Sequence, residues 1–337
     1  MQLRDRIGQL FMLGSDRRNQ QGFSEHLAEL RAGGAVIFSR DIHDADQLRR
    51  LNDGIIAGIE KSCGVRPFIA IDQEGGPVSR LRPPICPVLQ DAEILGQRYR
   101  SQPQVGIEEV LAQADLTAKC LLDLHINMNF APVCDLQPAG ESTVLLSRSY
   151  GTDPETVQEL AGAYAARLQT RGVIATAKHF PGHGVTGLDS HTELPVSLVS
   201  HEALLSDHIR PFTSLIRDGI GAVMLSHVVY PGLDDVPASQ SAAVVHGLLQ
   251  RDLRFNGLII TDDMQMAAIS GNQELPQACL RAMLAGCSMI LICSGPEQQQ
   301  EAIEYAVQAG ISGELPDAVI EQALARNLRL KRRFGLI

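Results

Sequence analysis

The segment VIATAKHFPG, residues 173–182, runs from a continuous apolar stretch directly into two ionisable residues, Lys178 and His179. A strand that is apolar on both faces is typical of a parallel sheet covered by helices on both sides. Because polar residues follow at its carboxyl end, the segment predicts a buried strand that presents ionisable side chains at one edge of the sheet. The same unit recurs along the chain, and its recurrence decides the fold.

Six more apolar runs alternate with segments of helical period, which indicates repeated βα units. One helical segment is predicted to begin with Asp153 as its N-cap and Pro154 at its first position, and to stop at Gly172. Ser200 is predicted to cap another helix. The six runs are GAVIFSR (34–40), PFIAIDQE (67–74), NMNFAPVCD (127–135), GAVMLSHVVY (221–230), GLIITDDM (257–264) and SMILICSG (288–295).

Polar residues end five of these predicted strands, and their positions separate two possible architectures. In a (β/α)₈ barrel the carboxyl ends of all strands converge on one mouth, whereas in a doubly wound sheet only the strands beside the switch point share a site. No GxGxxG or GxxxxGK[ST] loop follows any strand, and no Pro/Ser-rich linker divides the chain. The sequence therefore predicts one TIM-type (β/α)₈ barrel domain over residues 1–337. The strand-end residues are Asp72, Asp135, Lys178 with His179, His227, and Asp262 with Asp263.

Composition narrows the class of ligand and the compartment. The chain has 337 residues and a formal charge of −10, without a block of like charges, which favours a saccharide or other small molecule over nucleic acid. No run of eighteen apolar residues predicts a membrane span, and residues 7–14 are too short for a signal-peptide core. The seven cysteines form no CxxC pair, so they are expected to be reduced in a cytoplasmic protein.

Asp262 is the candidate nucleophile, because it ends a buried strand that should hold its carboxylate rigidly against a reacting carbon. The alternative interpretation is that Asp262 only caps the helix that follows. Asp263, one residue further on, is the better candidate for that cap. Asp262 is therefore left for chemistry.

His191 is the candidate proton shuttle. In extended chain Asp189, two residues earlier, points the same way, so its carboxylate can fix the tautomer of His191 and raise its basicity. An Asp-Ser-His sequence alone is a weak signal because loops are rich in these residues. It gains weight by following the strand that ends in Lys178 and His179, on a loop with glycines at 182, 184 and 187 that allow movement.

Three further residues could bind sugar hydroxyls. Asp72 and Arg80 offer a carboxylate and a cation within one short segment, and Arg148 offers a second guanidinium. Each of them taken alone is more often part of a surface or structural ion pair.

A long set of motifs resembles one enzyme family. KHFPGHG (178–184) is followed by DSH (189–191) and by Leu194-Pro195, and the chain also contains IDQEGG (71–76), NFAPVCDL (129–136), SRSYG (147–151) and IITDDM (259–264). In this order and spacing the sequence is similar to the single-domain β-N-acetylglucosaminidases of glycoside hydrolase family 3 that act in bacterial cell-wall recycling. The similarity extends from residue 7 to the last helix.

The resemblance implies a role for each candidate. Asp262 would be the nucleophile that forms a covalent glycosyl-enzyme, and His191, held by Asp189, would act as general acid and then as base. The expected reaction releases terminal N-acetylglucosamine from muropeptides that carry 1,6-anhydro-N-acetylmuramic acid, with retention and without metal or organic cofactor. The residues expected to hold the sugar are Asp72, Arg80, Arg148, Lys178 and His179.

Three alternatives remain open at this point. An imidazole base repels anions less than a carboxylate does, so phosphate could replace water and make the enzyme a phosphorylase. The residues His179, His183, Asp189 and His191 could bind a metal in a barrel amidohydrolase or deacetylase, although Pro181 and Gly182 break the helix that an HxxxH metal pair needs. A catalytically silent carbohydrate-binding barrel would be expected to lose the nucleophile or the Asp-His pair. The sequence does not indicate the oligomeric state.

Overall fold

Eight parallel strands close into a barrel in the computed structural model, which describes residues 1–16, 22–137, 145, 147–183, 195–266, 269, 271 and 273–337. The predicted (β/α)₈ barrel is confirmed. Around the barrel the strands follow the order β1, β10, β9, β8, β7, β6, β3, β2. The strands are β1 Phe11–Gly14, β2 Gly34–Ile37, β3 Phe68–Ile71, β6 Met128–Asn129, β7 Ile174–Phe180, β8 Ala222–Leu225, β9 Leu258–Asp263 and β10 Met289–Ile292, while β4 Gln73–Gly75 and β5 Val78–Ser79 form a separate hairpin.

Helices cover the outside of the barrel and begin as the sequence predicts. Asp153 accepts a hydrogen bond from the Thr156 amide at 2.8 Å, and Ser200 accepts one from the Ala203 amide at 3.2 Å. No helix in the described ranges is long and apolar enough to cross a membrane. The helices are α1 Leu3–Gly8, α2 Phe23–Leu30, α3 Ala45–Cys63, α4 Ala92–Ser101, α5 Pro103–Leu122, α6 Pro154–Thr170, α7 His201–Ala203, α8 Arg210–Arg217, α9 Leu275–Ala285, α10 Pro296–Ser312 and α11 Asp317–Arg333, with π-helical segments at Leu204–His208 and Ala243–Asp252.

Strand β1 was not among the predicted strands. Gln9 interrupts its apolar run, and the interruption has a structural purpose. The buried Gln9 amide donates to the carbonyls of Arg31 and Ala32 at 2.9 and 3.1 Å, which satisfies backbone oxygens at the amino-terminal end of the barrel. Strand β1 then closes the barrel between β2 and β10.

The apolar core has two layers. One lies between the strands and the surrounding helices, and the other fills the barrel with inward side chains such as Met12, Phe68 and Phe130. Leu330 belongs to this inner layer, and Phe334 packs against it, so the end of α11 covers the amino-terminal end of the barrel. The strand ends at the opposite mouth are left free for polar residues.

The hairpin β4–β5 carries Arg80 toward that mouth. Its turn contains Gly75 and Gly76 at φ +108° and +52°, and a Cβ on Gly75 would lie 2.4 Å from the Gln90 carbonyl oxygen. Only glycine fits both conditions, as the sequence interpretation of a tight turn requires.

The expectation of seven reduced cysteines was wrong for one pair. Cys86, in the loop after β5, forms a disulfide with Cys120 on α5, with a Cα–Cα distance of 5.7 Å. The two residues are separated by 34 positions in sequence, so only the tertiary fold brings them together. Cys63, Cys134 and three others are free.

Lys331 is fully buried at the closed end of the barrel, and this gives a pH-dependent prediction. It donates to the Gln9 side chain at 3.1 Å and to the Gly33 carbonyl at 3.2 Å, and burial lowers its pKa to about 7. Above pH 7 the unfolded chain then binds more protons than the folded chain, so stability rises with pH until the unfolded lysine titrates.

We expect wild type to gain up to about 1.4 kcal/mol of unfolding free energy per pH unit between pH 7 and 10, relative to Lys331→Met. Urea unfolding of both proteins at pH 7, 8 and 9 measures this difference. Parallel pH profiles would show that Lys331 keeps an ordinary pKa.

Candidate active site

A cavity of about 430 Å³ opens at the carboxyl ends of the barrel strands. Phe38, Phe130, Met224 and Leu291 supply its apolar wall. The structure brings together here all the described residues that the sequence proposes for the site. These are Asp72, Arg80, Arg148, Lys178, His179 and Asp262.

A larger cavity of about 770 Å³ lies beside the first and shares Arg80 with it. It is formed by residues 39–46 and 80–85, which follow β2 and β3. In the barrel order β3 lies opposite β9, the strand that carries Asp262. The larger cavity is therefore on the far side of the mouth from the candidate nucleophile, and the smaller one holds the chemistry.

Asp262 presents one oxygen to the cavity. Its Oδ1 accepts the Asp263 amide at 2.8 Å, which fixes the orientation of the carboxylate. Its Oδ2 lies 3.9 Å from Nε2 of His179, and the side chain is 25% exposed. A carboxylate that lines the cavity and is held in place through Oδ1 is suited to attack on a carbon through Oδ2.

Asp263 and His227 stabilise the end of β9 behind Asp262. Asp263 accepts the amides of Gln265 and Cys293 at 3.1 and 3.2 Å, so its carboxylate holds the turn that follows β9. Burial raises the pKa of Asp263 to about 6. His227, whose pKa is lowered by burial, lies with Nε2 3.0 Å from the Asp263 carbonyl oxygen and Nδ1 2.8 Å from the Ser239 hydroxyl.

His179 is oriented by Asp135, which is fully buried. Asp135 lies 2.7 Å from Nδ1 of His179 and accepts the backbone amides of His179 and His183. Burial alone would raise the pKa of Asp135, but these partners lower it to about 2, so the residue is ionised. An ionised Asp135 holds the proton of His179 on Nδ1 and leaves Nε2 facing Asp262.

Five charged residues form an ion cluster at the other side of the cavity. Nζ of Lys178 lies 2.8 Å from Asp72 and 2.6 Å from Glu74. Arg148 donates to both oxygens of Glu74, each at 2.8 Å. Arg80 contacts Asp72 at 3.4 Å. Two carboxylates thus lie among three cations.

The electrostatics of the ion cluster keep every member charged. Burial opposes ionisation of Glu74, but Lys178 and Arg148 outweigh it and lower its pKa to about 2. The pKa of Asp72 is lowered in the same way, chiefly by Lys178, and that of Lys178 is raised by the two carboxylates. Fixed charges with unused hydrogen-bonding capacity suit vicinal hydroxyls, which both donate and accept.

Arg80 has a hydrogen-bond donor that the described chain does not use. Its Nε is buried and has no hydrogen-bond partner within the described chain, and its guanidinium lies 5.8 Å from the centre of the Phe38 ring. The predicted Asp72–Arg80 pair is present but long, so Arg80 can reorient toward a ligand oxygen.

Comparison with known proteins identifies the family of this chain. The glycosyl hydrolase family 3 N-terminal domain matches residues 2–330. The chain belongs to glycosyl hydrolase family 3. The resemblance drawn from KHFPGHG and the other motifs is thereby confirmed.

Relatives of this family 3 protein are similar over most of its length. A β-hexosaminidase of Thioalkalivibrio sulfidiphilus is 34% identical over 310 residues, which cover 92% of this chain and 85% of the relative. The structure of a family 3 β-N-acetylglucosaminidase from Paenibacillus sp. str. FPU-7 is similar over the whole chain, with a TM-score of 0.93 and 33% identity. This chain spans 63% of that larger protein. A β-N-acetylhexosaminidase from Beutenbergia cavernae gives a TM-score of 0.89 at 27% identity, covering 98% of this chain and 99% of that one.

The candidate site differs from the sequence prediction in one residue, and two predicted residues cannot be compared with the structure. Asp189 and His191, the predicted partner and proton shuttle, lie outside the residues that the structure describes. Glu74 was not proposed from the sequence, although it follows Asp72 by two residues, and residues i and i+2 of a strand share a face. This i, i+2 spacing could have indicated that Glu74 lies beside Asp72 in the site.

The metal-site alternative gains no support from the described residues, among which no three His, Cys, Asp or Glu side chains form a group able to hold a metal ion. The rings of His179 and His183 meet edge to face, with centroids 6.1 Å apart. Asp135 occupies Nδ1 of His179, which leaves that ring a single free nitrogen.

Proposed function

We propose that this protein is a retaining β-N-acetylglucosaminidase that removes terminal non-reducing N-acetylglucosamine from GlcNAc-1,6-anhydroMurNAc-peptides in peptidoglycan recycling. The observation that carries the proposal is the single cavity in which Asp262 faces His179 and the ion cluster. Family membership and the β-hexosaminidase names of the relatives support hydrolysis of a β-linked N-acetylhexosamine.

The ion cluster defines which end of the sugar enters. Asp72 follows β3, the strand opposite β9, and both Lys178 and Arg80 contact it there, so this group can hold hydroxyls far from the reacting carbon. Arg148 and His179, which line the same cavity, bind the sugar as well. A cavity of about 430 Å³ lies at the small end of the range for ligand pockets, which fits one sugar unit. Binding of a single terminal residue follows from this size.

The reaction takes two steps. Oδ2 of Asp262 attacks the anomeric carbon and forms a glycosyl ester as the glycosidic C–O bond breaks, and His191 gives its proton to the leaving oxygen. Water then loses a proton to His191 and attacks the same carbon, which releases Asp262. Two inversions give net retention. Retaining glycosidases usually have two carboxyl groups about 5–5.5 Å apart, and here His191, held by Asp189, takes the second position.

Side chains alone carry out these steps, so the proposed mechanism requires neither metal nor organic cofactor. We infer that residues 1–337 act together as one catalytic domain, since β3, which Asp72 follows, and β9, which carries Asp262, belong to the same closed barrel.

The test is product analysis on the disaccharide GlcNAc-1,6-anhydroMurNAc in buffers with and without phosphate. Proton NMR should detect β-N-acetylglucosamine as the first anomer in both buffers. The α anomer as first product would overturn the two-step mechanism, and absence of cleavage would overturn the substrate. A predominance of N-acetylglucosamine 1-phosphate in phosphate buffer would make the enzyme a phosphorylase.

We also infer action in the cytoplasm. Free buried thiols at Cys134, Cys279 and Cys287 support a reducing compartment, whereas the Cys86–Cys120 disulfide counts against it because disulfides are rare in the cytosol. Thiol alkylation in acid-quenched cells, followed by mass spectrometry, decides between them. Alkylated Cys86 and Cys120 would agree with the cytoplasm, and a protected pair would contradict it.

A further inference from the structure

A further cavity lies at the opposite end of the barrel from the active-site cavity. It has a volume of about 260 Å³ and is formed where residues 216–220 enter β8, residues 254–257 enter β9, and α11 passes beneath them. These segments are at the amino-terminal ends of the strands. The cavity is therefore separate from the proposed catalytic residues.

Four arginines line this base cavity: Arg254, Arg326, Arg329 and Arg333. None of them has a carboxylate within 4 Å in the part of the chain that the structure describes. Asp218, next to the lining residue Gly219, pairs with Arg217 instead, at 3.5 Å. On a chain with a formal charge of −10, four cations around one small cavity form a strong local exception.

Arg326 makes the missing counter-ion most evident. It is only 8% exposed, and its guanidinium donates to the carbonyls of Phe255 and Gly257, both at 3.2 Å. Both hydrogen bonds come from Nη1, and carbonyls do not neutralise a buried charge, whereas buried charges in proteins are normally paired. Burial and the nearby charge of Arg329 together lower the pKa of Arg326, consistent with positive charge that nothing balances.

The attraction of cations to the C-terminal end of a helix dipole explains the position of only one of the four arginines. Arg333 ends α11 and donates to the Gly219 carbonyl at 2.7 Å, so the helix dipole accounts for its position. Arg254 belongs to another segment, and Arg326 lies two turns before the end of α11, beyond the reach of that effect. A ligand that contacts all four arginines would account for them together.

We propose that the base cavity binds a small organic phosphate. Guanidinium groups match phosphate oxygens in paired hydrogen bonds, and a doubly charged group is the natural counter-ion for several arginines. Ile216, Ile220, Phe255 and Leu330 give the cavity an apolar side for the organic part. The volume is just below the range of about 300–1,000 Å³ for drug-sized ligands, which limits the ligand to the size of a phosphorylated monosaccharide.

The experiment compares two arginines of α11 that differ only in position. Arg329 and Arg332 are both exposed on this helix, but only Arg329 lines the cavity, so Arg329→Glu and Arg332→Glu impose the same charge change. Titration calorimetry uses glucose 6-phosphate, inorganic phosphate and glucose at constant ionic strength. Thermal unfolding of each variant without ligand checks that both are folded.

Wild type and Arg332→Glu should bind glucose 6-phosphate with a Kd below about 1 mM, and Arg329→Glu should bind it at least about tenfold more weakly. Inorganic phosphate should bind more weakly than glucose 6-phosphate, and glucose should not bind. An equal loss of affinity in both variants would mean that the net charge of the protein, and not this cavity, determines binding, and it would overturn the site. Equal affinity for the two phosphates would overturn the organic ligand. Because the readout is binding and both variants should retain wild-type turnover, the result does not depend on the proposed function.

Discussion

We expect Asp262→Asn to lower kcat/KM on an aryl N-acetyl-β-glucosaminide by about 10³- to 10⁵-fold. The side chain keeps its shape, and its oxygen can still accept the Asp263 amide, so the fold around the end of β9 should be unchanged. What is lost is the oxygen that faces the cavity 3.9 Å from His179, which an amide cannot replace as a nucleophile. Steady-state kinetics with released aryl alcohol as the signal measures the loss.

Asp263→Asn is the matched control for this variant, because it makes the same chemical change one residue further along β9. Asp263 also lines the cavity, but its Oδ1 is occupied by the amides of Gln265 and Cys293, so its replacement should affect stability more than turnover. An Asp262→Asn enzyme with activity within tenfold of wild type would refute the assignment of the nucleophile.

Glu74→Gln should lower the free energy of unfolding by about 3–5 kcal/mol and raise KM, because it leaves buried cations without their partner. Glu74 is 5% exposed and contacts both Lys178 and Arg148. With a pKa of about 2 it is ionised at neutral pH, so its contribution is present above the ordinary value of 4.5 and is lost as the pH falls toward 2. Urea unfolding and substrate titration at pH 7 measure the two effects.

Asp115→Asn provides the comparison on the surface. Asp115 pairs with Arg171 at 2.7 Å, but both side chains are well exposed, so the same loss of one negative charge should change stability by less than about 1 kcal/mol. Its kinetic constants should equal those of wild type. If Glu74→Gln behaved like Asp115→Asn, the ion cluster would have no role in holding substrate.

The barrel could be predicted because its strands carry a strong local signal. Runs such as residues 257–264 are apolar on both faces and end in acids, and only a barrel brings so many strand ends together. Strand β1 was not predicted because Gln9 interrupts its apolar pattern. Gln9 has a role that depends on the tertiary fold, since its side chain donates to carbonyls that follow α2. Hydrophobic periodicity does not reveal that a polar side chain forms hydrogen bonds with backbone groups far away in sequence.

The site was predictable where residues end strands and less so where partners come from elsewhere. Asp262 and Lys178 could be proposed from their position alone. The contact of Glu74 with Arg148 joins residues 74 positions apart, and no local pattern indicates it. The Cys86–Cys120 disulfide depends in the same way on how a loop packs against α5.

The packing of α11 against the amino-terminal segment has a consequence for synthesis on the ribosome. Asn327 donates to the Gln9 carbonyl at 3.0 Å across 318 residues of sequence, and β1 pairs with β10. A nascent chain therefore holds an unpaired β1 edge until β10 emerges, and an uncovered barrel interior until α11 emerges. Such edges and apolar surfaces favour aggregation. We therefore expect β1 to be prone to aggregation during translation until β10 has emerged and paired with it.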